Sequence, residues 1–247
     1  MAPRARRARR ARAGVRFGMN KQTCWILIRE AAAGDAEARA GFTRRYLPVV
    51  KGYLTARWGR GPLAGEIDDA VQEVFLDCFR RGGALERNDA AAGGGFLAFL
   101  LGVVRMTALH FETRRAREHQ RQHRRRGDTD FRIEEAVADE DSLSRIFDRE
   151  WARAMMREAN RLLVEKARAA GEDSLRRVEL LRLRFQKGMP IRDIAQLWNV
   201  DPDRLHHQYA RARRDFADAL REVVGLHQGC SPAELKEQCR RIYDLLK

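Results

Sequence analysis

Apolar residues recur every three to four positions along most of this chain, and no stretch alternates with the period of a strand. The pattern predicts helices over 21–33, 35–46 and 48–58, with Pro48 opening or kinking a helix. A loop rich in Gly and Pro, GRGPLAG, follows. The next helix, over 66–80, sets Ile67, Val71, Val74, Phe75 and Cys78 on one side and Asp68, Asp69, Gln72, Glu73 and Asp77 elsewhere. A second loop, ERNDAAAGGG, leads into a long helix over 96–117 that begins apolar and ends basic. Helices resume over 144–170 and 174–187, and a last one over 232–246 opens with Ser231 and Glu234 spaced as a capping box.

The most informative stretch is 188–216, GMPIRDIAQLWNVDPDRLHHQYARARRDF. Pro190 suits the first position of a short helix whose Ile191, Ile194, Ala195 and Trp198 share a face. Asn199 tolerates the left-handed conformation that ends a helix. Asp201 is a good N-cap for a second helix, with Pro202 next and Asp203 in its first turn. That second helix carries Arg204, His206, His207, Gln208, Arg211, Arg213 and Arg214. Two helices joined by a short turn, with polar and basic side chains opening the second, have the geometry that enters a DNA major groove. An ordinary helical hairpin with a solvated basic face has the same local pattern.

Charge favours the nucleic-acid reading. The 247 residues carry a net charge of +14, which suits a polyanionic partner. Seven Arg and no acid lie in residues 1–18, a tail expected to be disordered, and without it the chain is still at +7. Met19 lies where the periodic sequence begins and is a candidate start beside Met1. After Gly127 the composition inverts: 128–141 holds seven acidic residues and one Arg, the character of a linker. The expected fold is therefore all-α, with two helical domains joined by an acidic linker and a helix-turn-helix in the second. The expected divisions are 1–18, 19–126, 127–143, 144–228 and a C-terminal helix in 229–247. No membrane-spanning run is expected. Cys24, Cys78, Cys230 and Cys239 form no CxxC pair, and His227, Cys230 and Cys239 fit no zinc spacing well. Scattered thiols suit a reducing cytoplasm. No nucleophile–base cluster, phosphate loop or carboxylate pair marks an enzyme, and no metal or cofactor is expected.

Three blocks, in order, resemble the bacterial RNA polymerase sigma factors of the extracytoplasmic-function class. The match covers 25–118 and 147–224. The block IDDAVQEVFLDCF, 67–79, is similar to the family's polymerase-binding helix, which implies that Asp69, Gln72 and Glu73 touch the clamp coiled coil of the largest polymerase subunit. The block FLAFLLGVVRMTALHFETRRARE, 96–118, resembles the helix that reads and opens the minus-ten element. Phe96, Phe99, Leu100 and Val103 would be core, while Arg105, His110, Arg114 and Arg115 would face nucleic acid. The loop before it, 86–95, with Asn88 and Asp89, sits where the family captures a flipped-out base.

The third block, from Leu180 through Phe216, resembles the family's minus-thirty-five-binding domain. It implies DNA contacts from Arg204, His206, His207, Gln208, Arg211 and Arg214. The block FDREWARAMM, 147–156, resembles the longer members of planctomycete-like bacteria. Met106, His110 and Phe99 depart from the family's usual Asn, Asp and Trp, and Asn199 and His206 from its usual Gly and Lys. These departures bear on base preference more than on fold. The resemblance implies core RNA polymerase and promoter DNA as partners, with an anti-sigma factor a further candidate. Two other readings compete. One is a helix-turn-helix regulator acting without polymerase, which would dimerise on a palindrome. The other is a basic RNA-binding protein, which would leave the acidic 67–79 helix unexplained.

Overall fold

The computed structural model describes residues 24–87, 95–126, 139–228 and 232–247, and every regular element among them is a helix. In chain order they are α1 (Cys24–Ala33), α2 (Ala36–Trp58), α3 (Ile67–Phe79), α4 (Ala84–Arg87), α5 (Gly95–Arg126), α6 (Glu140–Ala170), α7 (Glu172–Phe185), α8 (Ile191–Trp198), α9 (Pro202–Gln228) and α10 (Pro232–Asp244).

Helix α2 starts where Asp35 accepts a hydrogen bond from the Ala38 N–H at 2.7 Å. It then continues unbroken past Pro48, where the sequence predicts the start of a helix or a kink. Proline removes one helical hydrogen bond and crowds the preceding turn, at about 3 kcal/mol. On the two sides of it, Phe42, Tyr46, Val49, Val50, Tyr53, Leu54 and Trp58 are all buried. Each such side chain contributes about 1.5–3 kcal/mol on leaving water, so the apolar stripe outweighs the proline. Helix α4 ends inside the stretch read as a loop, overlapping it at 86–87, and α5 extends beyond the predicted 96–117.

Helix α6 begins earlier than predicted. The Asp139 carboxylate accepts from the Ser142 N–H at 3.1 Å and caps a first turn that includes Glu140 and Asp141. Residues 140–143, read as the end of the acidic linker, are therefore helical. Burial explains it: Leu143 is only 1% exposed and starts the helix's apolar stripe. That stripe continues through Phe147, Trp151, Met155, Ala159, Leu162 and Ala167, and an unbroken stripe must be covered along its whole length.

Both halves of the chain supply the cover. Tyr46 of α2 stacks on Trp151 with centroids 5.8 Å apart and planes within 2° of parallel, and Tyr53 meets Phe147 edge-on at 6.1 Å. Gly52 lets the two helices approach closely, since a Cβ there would lie 2.6 Å from Glu150 Cγ. Ala219, Leu220, Val223 and Val224 of α9 join the same cluster. Helix α6, assigned by sequence to the second half alone, thus shares one large core with α2, α3, α5 and α9. A smaller, separate core gathers Leu180, Leu183, Ile191, Ile194, Ala195 and Leu205, with Trp198 and Tyr209 against it. Helix α10 packs back on the bundle through Cys239 and Ile242, and Arg241 reaches Asp148 of α6 at 3.0 Å.

One pair across the α2–α6 seam has a measurable pH signature. Burial alone would raise the Glu158 carboxyl, but hydrogen bonds and charge from Arg161 and Arg45 bring it down to about 2, below the ordinary 4.5. A lowered carboxyl stabilises the fold above its unfolded pKa, and that stability is lost as pH falls through the folded value. The expected result is a fall in denaturation midpoint between pH 4.5 and about 2 that is reduced in Glu158→Gln. An equally steep fall in the variant would assign the effect to other groups.

By length and composition alone, Phe96–Gln122 of α5 is apolar enough to cross a membrane, a test that a core helix also passes. Its Phe96, Leu100, Val104, Ala108 and Phe111 are taken up by the large core.

Candidate nucleic-acid interface

The α8–α9 corner is set by three residues. Pro190, expected inside the first turn of α8, stands one position earlier as its N-cap in an extended conformation. The fixed ring angle suits both positions. Asn199 ends α8 at φ 49°, in the left-handed region the sequence predicts for it, with its N–H bonded back into the helix. Asp201 then accepts from the Arg204 N–H at 3.3 Å at the start of α9.

Leu205, Ala212, Ala219 and Leu220 of α9 face inward. That fixes what faces out. Arg204, His206, His207, Arg211 and Arg214 are exposed, while Gln208 is half-buried at the edge of the small core. His207 and Arg214 lie opposite the buried stripe, with Arg204 and Arg211 flanking them on one side and His206 on the other. Arg213 is exposed and places its guanidinium 5.8 Å over the Tyr209 ring. The exposed face thus presents a row of cations, and Gln208 is the one expected DNA contact on α9 that packing half-covers.

The residues assigned on α5 do not share a face. Arg105 and His110 stand five positions apart, roughly 140° around a helix of 3.6 residues per turn. His110 is exposed. Arg114 is exposed too, pairs with Glu66 at 3.1 Å and lies 4.5 Å over the Phe111 ring. Arg115 is half-buried, and its Nε is enclosed with no hydrogen-bond partner among the described residues. Between Arg105 and His110 runs an exposed stripe of Ala98, Gly102, Met106 and Leu109. Asn88 and Asp89 lie outside the described residues.

Arg105 turns instead toward α6. Its Nη2 donates to Ser144 Oγ at 2.8 Å and lies 3.1 Å from Glu140 Oε2. The other Glu140 oxygen accepts from Arg57 Nη1 at 2.5 Å. Arg57, with 6% of its side chain exposed, also holds Glu112 through two nitrogens, at 2.6 and 3.1 Å. Its guanidinium is held well above its ordinary pKa, first by the Glu112 hydrogen bond and then, against desolvation, by Glu140. Burial would raise Glu112, but the bonds from Arg57 and from Trp58 Nε1 at 2.8 Å keep it below the ordinary value. Sequence reading missed this network. The one visible signal is Glu112, a lone carboxylate opening a basic run at seven residues, two helical turns, from Arg105.

On α3, Asp69, Gln72 and Glu73 are exposed together, and exposed Leu76 extends their face. Asp68 is exposed and pairs with Lys51 at 2.7 Å. Ala70, Val71, Val74, Phe75 and Cys78 hold the opposite face in the core. Burial pushes the Cys78 thiol up to about 12, so it is a packing group rather than a reactive one. No protein-family model matches the chain, and no curated protein matches it.

Proposed function

We propose that this chain is a sigma-type initiation factor: it binds core RNA polymerase through α3, recognises promoter DNA through α9 and α5, and helps melt the minus-ten element. One observation carries the reading. A chain of net charge +14 keeps an uncompensated carboxylate face on α3 and a row of exposed cations on α9, held on one frame. A polyanion alone would select against the first surface and a protein partner alone would not require the second. A regulator working without polymerase has no use for the α3 face. The α8–α9 corner supplies the helix-turn-helix, with the small core as its body. On this reading the division into a polymerase-binding and a minus-thirty-five-binding half is a division of function, not of the core. The energy of strand opening comes from binding, and no cofactor takes part.

The deciding experiment is retention of purified bacterial core polymerase by the full chain, followed by promoter-specific transcription. Failure of both sinks the reading. Within α9, later side chains reach phosphate and earlier ones reach base edges. Arg204→Ala is therefore expected to relax preference at particular minus-thirty-five bases, by about 1–3 kcal/mol each. Arg211→Ala should weaken binding evenly and lower the salt slope by about one. Transcription from a library randomised at this element reads both. Unchanged base preferences with Arg204→Ala would refute its assignment.

A further inference from the structure

The network on Arg57 ties a residue assigned to nucleic acid to the start of α6. We propose that the first turn of α6 is an autoinhibitory contact, in which Glu140 and Ser144 occupy the Arg105 guanidinium in place of a nucleic-acid phosphate. The proposal rests on the reading of α5 as a nucleic-acid-binding helix.

The chemistry of the contact is that of a phosphate site. A guanidinium prefers an anionic oxygen and a second acceptor in the same plane. Glu140 Oε2 at 3.1 Å and Ser144 Oγ at 2.8 Å supply one of each to the same nitrogen. Ser144 is positioned for it, since its hydroxyl donates to the Glu140 carbonyl at 2.8 Å and leaves its lone pairs to Arg105.

The contact is also built to open. Arg105 keeps 37% of its side chain exposed and Glu140 47%, so the pair is solvent-screened and weakly held. Arg57 is the buried cation, and departure of Glu140 leaves it paired with Glu112 through two nitrogens. The buried Arg57 charge therefore stays paired when the contact opens, and Arg105, whose Nε is enclosed with no hydrogen-bond partner among the described residues, is the cation left for a new anion. Leu143 and Phe147 stay anchored in the core, so release means fraying of residues 140–142 ahead of Leu143 and rotation of the Ser144 hydroxyl away from Arg105. Nucleic acid or polymerase that draws the turn away uncovers Arg105. Apparent affinity of the free chain is then reduced by the fraction of molecules with the turn open.

The test uses the full chain and a labelled mixed-sequence DNA single strand at low salt, read by fluorescence anisotropy. Glu140→Gln with Ser144→Ala is expected to tighten binding on the order of fivefold, the gain of a mostly closed turn becoming mostly open. Asp141→Asn removes the same charge one residue away and is expected to bind close to wild type. Adding Arg105→Ala to the pair should abolish the gain. Ser144→Ala alone changes no charge and should give a smaller gain in the same direction. Amide exchange at Ser142 and Leu143, whose N–H groups bond Asp139, should quicken in the pair and in wild type on adding the strand. The proposal is overturned if the pair binds no tighter than Asp141→Asn, if the gain survives Arg105→Ala, or if exchange over that turn does not change. Polymerase retention by wild type, measured in parallel, separates the two ideas. Retention without the gain removes the latch and leaves the sigma reading. A gain that passes through Arg105 without retention keeps the latch and removes the sigma reading.

Discussion

Replacing Asp69 and Glu73 together by Lys is expected to abolish retention of core RNA polymerase while leaving helicity unchanged and lowering the denaturation midpoint only slightly, since Asp69 lies in the first turn of α3. Both side chains are exposed on α3, and the residues that hold α3 in the core lie on its other face. Surface changes away from packed groups shift stability by roughly 0.5 kcal/mol or less, so the fold should tolerate the pair. At an interface the same change is large. Two carboxylates become two ammonium groups, and like charges brought together across a contact cost several kcal/mol, enough for a thousandfold loss. Asp68→Asn supplies the comparison: that carboxylate is exposed and already paired with Lys51, so retention should change little. A double Lys variant that still retains polymerase as wild type does would remove α3 from the interface.

Local chemistry was legible where it acts over a few residues. The end of α8 at Asn199 and the start of α9 at Asp201 were readable because a left-handed cap and a carboxylate N-cap are properties of single residue types. The amphipathic face of α3 was readable for the same reason. Pro48 was misread because its local preference is set against a buried stripe that only the assembled core rewards. The start of α6 was misplaced because Glu140 and Asp141 look like a solvated acidic run until Leu143 is known to be buried. Gln208 was placed among outward residues by position in the helix alone, without the small core that half-covers it. Least legible of all was the contact of Arg57, Arg105 and Glu140. These residues come from three helices, and no periodicity relates positions so far apart. Resemblance assigned Arg105 a nucleic-acid role, while the fold gives it a protein partner first.

The second large effect concerns that shared core. Trp151→Ala is expected to destabilise the chain by about 3–5 kcal/mol, the range for removing a buried aromatic side chain without collapse of the site. Trp151 is 5% exposed and its ring lies flat on Tyr46 of α2. The position of the loss matters more than its size. In a chain of two independently stable halves, a cavity in α6 would loosen α6, α7 and α9 and leave α2 protected. In the structure, α2 and α6 close one core, so slow amide exchange in α2 around Tyr46 and Tyr53 should be lost together with that of α6. Ile194→Ala, in the small core of α8 and the start of α9, is the contrasting case. It should quicken exchange there and leave α2 at its wild-type rate. Protection of α2 that survives Trp151→Ala would show that the stacking on Tyr46 adds little, and that other contacts across the seam, such as the half-buried pair Arg45–Glu158, hold α2 in place.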